Sequence, residues 1–258
     1  MELNRTNYFS READEEYMSV SQYKAFEKCE AMALAKIRRE YEEPKTDALL
    51  IGSFVDSYFE GTEAQFALDH PEMFNSRTEE LKAPFKIAYR VIERLKQDEL
   101  FMGYATGGKE QVIMTGEIAG VPFKIAIDNL HDDKIVDRKI MKDFKPVYVE
   151  GQGRLTWYEA WGYDKQGAAY REVCYQNTGK LLPFFLAAGT KEEEPDLDVK
   201  ELDSELLDYC LEQMKEKIPR YDAIKKGIIE PTRCENCAYC RRTKVLTAPS
   251  NSKEDMFE

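Results

Sequence analysis

Residues 124–139 read KIAIDNLHDDKIVDRK, two alternating runs around a polar turn. In the first run Ile125 and Ile127 alternate with Lys124, Ala126 and Asp128. In the second, Ile135, Asp137 and Lys139 alternate with Val136, Arg138 and Ile140. A strand sends residues i and i+2 to one face. Asp137 and Lys139 are therefore predicted to project together, and a hairpin brings Asp128 beside them. Two carboxylates and an amine at a strand end suit a hard divalent cation and a water to be deprotonated.

Two flanking segments carry polar pairs at helical spacing. LLIGSFVDSYFEG (49–61) puts Gly52 and Asp56 on one helix face, and WGYDKQGAAYREVCY (161–175) does so for Gln166 and Tyr170. The order GxxxD, Asp, D-x-K, QxxxY resembles the PD-(D/E)XK nucleases of the RecB, AddB and RecE type. In those, a GxxxH helix precedes and a QxxxY helix follows the D-x-K strand. Asp56 stands where they place a histidine.

The resemblance implies metal-assisted phosphodiester hydrolysis. Asp128, Asp137 and the backbone carbonyl of Arg138 would ligate Mg²⁺ (or Mn²⁺), and Lys139 would orient the attacking water, help deprotonate it, or stabilise the charge building on phosphate. Asp56 would add a carboxylate or hold a water, and Gln166 and Tyr170 would contact DNA or order the site. Read without the resemblance, Asp56 is equally a solvent-facing helix position and Tyr170 a packing residue. Glu110, at the start of a preceding strand, is a further carboxylate or an exposed strand end.

Cys234, Cys237 and Cys240 form C-x2-C-x2-C, and Cys29 lies far upstream in a predicted amphipathic helix. This run matches the first three ligands of a ferredoxin-type [4Fe–4S] site. Zinc sites more often show two separated C-x2-C pairs, and Zn²⁺ stays open as the alternative. The set also resembles the one N-terminal and three C-terminal cysteines of AddB-like nucleases, which implies a [4Fe–4S] cluster joining the two ends of the chain. Those relatives leave a longer gap before the last cysteine. Cys174 and Cys210 fall in helical stretches and read as small buried hydrophobes.

The chain has 258 residues, 43% hydrophobic, enough for one well-buried domain. No apolar run reaches the roughly 20 residues that span a bilayer, and the polar, acidic start reads as no secretory signal. A reducing bacterial cytoplasm is the expected location. The net charge of −12 argues against a protein that coats DNA nonspecifically. It permits a nuclease with a local basic groove, for which Arg138, Lys142 and Lys145 are the candidates.

Along the chain, residues 1–17 read as a flexible arm or an edge element fixed by Tyr8 and Phe9. One helix runs from Ser19 or Ser21 to about Tyr41, where Pro44 breaks it. The GxxxD helix follows, then an irregular stretch 62–82 and a helix 84–100. Residues 109–120 pair with 121–130 through Gly120-Val121-Pro122, and 135–141 form a third strand. Residues 142–156 read as a loop over the site, and the QxxxY helix covers about 157–175. Strands at 181–188 and 195–201 precede a helix at 203–226. A cysteine knuckle spans 234–240, and 246–258 is a polar tail. The fold class is thus a single α/β domain, with 18–245 as its core and a mixed central sheet flanked by helices.

Beyond its motifs, the chain resembles the RecE-like nucleases of phages and prophages. YMSVSQYKAFEKCEAMALAKI (17–37), ALLIGSFVDSYFEG (48–61) and CENCAYCRRTKVL (234–246) carry that likeness. It implies a 5′-to-3′ exonuclease acting on double-stranded DNA ends in recombination, with a RecT-type annealing protein as partner. Oligomeric state is open, a homo-oligomer included. Two other readings stand beside it: a catalytically silent nuclease-like DNA-binding protein, and a zinc-knuckle adaptor.

Overall fold

Ile118 faces Val121 across a two-residue turn, Ala119-Gly120, in which both residues have positive φ. This tight geometry matches the twist of the strands it joins. It lies one step earlier than the sequence suggested, and Pro122 sits inside a strand. The hairpin is β1 (Lys109–Ile118) and β2 (Val121–Leu130). Strand β3 (Ile135–Met141) pairs antiparallel with β2. It pairs in parallel with the later strand β6 (Phe184–Thr190), and β7 (Leu197–Glu201) closes the edge antiparallel to β6. The order is β1-β2-β3-β6-β7, a mixed five-stranded sheet. The computed structural model describes residues 1–246 and 248, so the predicted polar tail falls almost wholly outside the described residues.

Parallel strands need a crossover, usually helical. Between β3 and β6 the chain forms a small hairpin, β4 (Val147–Val149) and β5 (Gly153–Leu155). A short helix (Trp157–Ala160) and a long one (Tyr163–Thr178) complete the crossover. The other helices are α1 (Arg11–Glu16), α2 (Val20–Lys28), α3 (Glu30–Ile37), α4 (Asp47–Phe59), α5 (Glu63–Asp69), α6 (Ile87–Lys96) and α7 (Glu99–Ala105). Numbering in chain order makes the crossover helices α8 and α9; α10 (Ser204–Lys225) and α11 (Ala238–Arg242) follow.

Each sheet face has its own core. Ile135 and Met141 of β3 join the cluster formed with α2, α9 and α10, where Tyr23, Val173 and Met214 are fully buried. Val136 joins the cluster of α4, α6 and α7, around Phe54, Ile92 and Phe101, with Ile140 packed against it. Side-chain alternation along β3 therefore puts Asp137 and Lys139 on the α9 side and Arg138 on the α4 side.

Five local readings change. The helix predicted across 19–41 breaks at Cys29, whose φ of −169° and ψ of 114° are extended. The helical pattern runs through this residue because both halves are amphipathic. Residues 1–17 are folded, not a flexible arm: α1 forms there, Tyr8 is buried, and Met18 bridges to Phe123. Phe9 is exposed. The stretch 62–82 contains α5 and a bridge between Phe74 and Leu81, and the helix predicted across 84–100 divides into α6 and α7. The predicted loop 142–156 contains β4 and β5.

Candidate active site

Strands β2 and β3 pair only at Asn129–Val136 and Leu130–Ile135 and then part. Asp128 sits at this fork. Its Oδ2 accepts from the backbone N–H of Arg138 at 2.9 Å, and its Oδ1 from Gln111 Nε2 at 3.2 Å. Asp128 thus fills the place of a missing ladder bond and is aimed at the backbone between Asp137 and Lys139.

Asp137 is 1% exposed. Its Oδ2 contacts the Lys139 ammonium, and its Oδ1 accepts from Gln166 Nε2 at 2.6 Å. Gln166 reaches it because α9 lies very close to the sheet. A Cβ on Gly167 would stand 2.7 Å from Phe184 Cδ1 and 3.0 Å from Leu207 Cδ2. Only glycine permits that approach. Tyr170, one turn on, is buried against Phe184. It packs the wall of the site.

Arg138 points the other way. Its guanidinium is 2% exposed, donates to the carbonyl of Ala105 at 3.1 Å and to Glu60 Oε1 at 3.5 Å, and lies over the Phe59 ring. Its Nε is 3.9 Å from Asp56 Oδ1. The DNA contact assigned to this side chain from sequence is therefore corrected: it is a buried counter-ion for α4. Lys142 and Lys145 are exposed. Glu110 pairs with Asn129, and its carbonyl accepts from Arg5.

Burial, then the neighbouring Asp128, push Asp56 well above the usual carboxylate range, and Arg138 pulls against them. Burial also raises Asp137, against the pull of Lys139. For Lys139, burial opposes the ammonium, but Asp137 and Asp128 outweigh it and hold the amine charged. Asp56 Oδ1 is buried without a hydrogen-bond donor, and Asp137 Oδ2 has only the ionic contact of Lys139. Buried carboxylate oxygens with lone pairs left over fit a hard divalent cation. Asp56, Asp128 and Asp137 do not all come within 4.8 Å of one another. Mg²⁺ uses only one or two carboxylates, so Asp128 and Asp137 could hold such an ion without Asp56.

Lys139 lies on the lining of a cleft of about 1010 Å³. Lys24, Lys36, Arg39, Lys139, Lys142 and Lys191 line it, with Lys124 and Arg138 buried behind its wall, against Asp14 and Asp56, in a chain of net charge −12. Among them is Lys24 of α2, whose Nζ donates to the carbonyl of Trp161 at 3.0 Å and lies 5.4 Å from the Tyr163 ring centroid. Burial, then Lys139, lowers the pKa of Lys24 to about 8. Trp161 ends α8 and is 56% exposed at the cleft, whereas Trp157 is 5% exposed in the core.

The chain matches, over residues 19–243, the model of a PDDEXK-like domain of unknown function. It belongs to that family. No curated protein matches it. It is also similar to a crystal structure from Eubacterium rectale described as a "Putative exonuclease", with 43% identity and a TM-score of 0.94. The match covers 100% of this chain and 99% of that one.

In this PDDEXK-like domain the predicted Asp128, Asp137, Lys139 and Gln166 meet at one point, with Asp56 at its edge. The predicted cysteines also meet: the sulfurs of Cys29, Cys234, Cys237 and Cys240 lie within 4.8 Å of one another and could hold a metal ion. Cys174 and Cys210 are buried in the core, as expected. Sequence reading missed Lys24, Trp161, Gln111 and Glu60. Glu60 had a signal, since it repeats the four-residue step from Gly52 to Asp56. Lys24 had none, because its partner Trp161 lies 137 residues away.

Proposed function

We propose that this chain is a metal-dependent deoxyribonuclease that hydrolyses phosphodiester bonds at duplex DNA ends. The observation that carries the reading is the Asp128, Asp137 and Lys139 constellation at the fork of β2 and β3, opening on a cation-lined cleft. Bound Mg²⁺, or Mn²⁺, would polarise a phosphoryl oxygen and favour deprotonation of water. Lys139, beside Asp137, would orient the attacking water, help deprotonate it, or donate to a phosphate oxygen. Gln166 fixes the carboxylate plane of Asp137, and Arg138 keeps α4 and its Asp56 against the fork. Lys24, Lys142 and Lys145 offer charge to the phosphates of the strand.

The similarity to the Eubacterium rectale protein supports exonuclease over endonuclease action. The RecE-like resemblance supports 5′-to-3′ polarity, a role in phage-type recombination and a RecT-type partner that anneals the exposed strand. All six cysteines are free, which fits the cytoplasm. No helix among the described residues is long and apolar enough to cross a membrane.

The test is incubation with end-labelled linear and circular duplex, in Mg²⁺ or EDTA. Release of nucleotides from linear DNA alone, and only with metal, is expected. Binding of ends without release would favour the catalytically silent reading, for which the replacement of histidine by Asp56 speaks.

A further inference from the structure

Cys29 is the corner between α2 and α3, and its extended backbone turns the thiol toward α11. Its Sγ lies 3.5 Å from that of Cys240, which is 211 residues away. Cys234 Sγ is 3.9 Å from Cys240 Sγ, and all four sulfurs fall within 4.8 Å of one another. The backbone N–H of Cys237 donates to Cys234 Sγ at 3.3 Å, and that of Cys240 to Cys237 Sγ at 3.4 Å. Ala31 and Met32 close the set from one side, and Arg233 donates to the Cys240 carbonyl at 2.7 Å.

Four thiolates bound tetrahedrally about 2.3 Å from one zinc ion stand about 3.8 Å apart. The two sulfur pairs at 3.5 and 3.9 Å bracket that edge. In a four-iron cube each thiolate holds a different iron, so the ligands radiate outward from its corners and stand wider apart than ligands of a single ion. Sulfurs gathered within 4.8 Å of one another leave no room for a cube between them. The [4Fe–4S] cluster implied by the AddB-type resemblance does not fit this set.

We infer that Cys29, Cys234, Cys237 and Cys240 hold one tetrahedral metal ion, Zn²⁺, in place of an iron–sulfur cluster. Zn²⁺ suits four soft thiolates in a closed tetrahedron, and each thiol gives up its proton on binding. The ion pins the α2–α3 corner to the C-terminal knuckle. Because α2 carries Lys24, the ion also sets one wall of the cleft.

The experiment uses the full chain, expressed with iron and zinc both in excess and purified without oxygen. The expected result is one zinc per chain, no acid-labile sulfide and a colourless protein. Iron and sulfide in equal amounts, about four of each per chain, would overturn the inference. In a second arm Co²⁺ replaces the native metal. Thiolate-to-cobalt charge transfer and the intense ligand-field bands of a tetrahedral ion support it, and uptake without them overturns it. Cys29→Ser should lose those bands or the metal. If that variant is insoluble, the cobalt spectrum of the unaltered chain decides alone. Both arms read metal content and stand whether or not the chain cuts DNA.

Discussion

Gln166 donates its amide to Asp137 Oδ1 at 2.6 Å, joining α9 to β3 across 29 residues. The bond locks a buried carboxylate whose other oxygen has only the ionic contact of Lys139. Gln166→Leu should therefore slow Mg²⁺-dependent nucleotide release by about 10- to 100-fold, the usual effect of losing a group that orients a metal ligand. Asp137→Asn and Lys139→Ala should each lose orders of magnitude more, with DNA binding largely kept. Wild-type rates in Gln166→Leu would mean that Asp137 is held without it.

Arg138→Leu should act on stability. Removing the guanidinium leaves Glu60 and Asp56 without their cation; both are partly exposed, so the cost should be about 1–2 kcal/mol. Urea unfolding measures this. An unaltered midpoint would show that the guanidinium contributes nothing to holding α4.

Replacing Lys142 and Lys145 together with glutamine should weaken binding to all DNA sequences. The log–log salt dependence should flatten by roughly two, about one for each phosphate that is no longer neutralised. DNA-end affinity across a salt series in Ca²⁺ is the measurement. An unchanged slope would move the strand's path to Arg241, Arg242 and Lys244.

Trp161 is the exposed member of the chain's two tryptophans, so it reports on the cleft. Bases stack on exposed aromatic rings in cation-lined grooves. A single-stranded oligonucleotide added in Ca²⁺ should quench indole emission, and Trp161→Ala should abolish the quench and weaken binding about tenfold. Equal quenching in the variant would assign the signal to Trp157.

Alkaline pH should unfold the protein. Burial, then Glu27 and Glu30, push Tyr221 up to about 12, and burial raises Tyr8 and Tyr23 further. An unfolded phenol ionises near 10. Between about 10 and 12 the unfolded chain has released a proton that the fold retains, so stability is complete below 10 and falls as pH rises. Each such phenol contributes at most about 1.4 kcal/mol per pH unit. Melting temperature against pH should show this slope, and Tyr221→Phe should flatten it by one proton's share.

Strands β1 to β3 were legible because alternation is a local property. The same alternation already separated Arg138 from Asp137 and Lys139, but the cluster of positive charge around it pointed to DNA. Strands β4 and β5 have three residues each, too few to show a period. The break at Cys29 was hidden because amphipathic spacing continues through it, and the residue it turns toward, Cys240, is 211 positions away. Contacts of that kind, including Lys24 with Trp161, are set by tertiary packing and leave no local mark.

The corner at Cys29 also orders events during synthesis. A chain emerges from the ribosome N-terminus first, and domains fold as they complete. Helices α2 and α3 are made early, yet the residues that close their corner arrive 205 to 211 positions later. Until the knuckle is translated, Cys29 is a solitary thiol on an unfinished wall, and the cleft lacks a fixed side. Closing this corner is therefore the last step of assembly, so a chain stalled before Cys234 would carry Asp128, Asp137 and Lys139 and still not hold α2 in place.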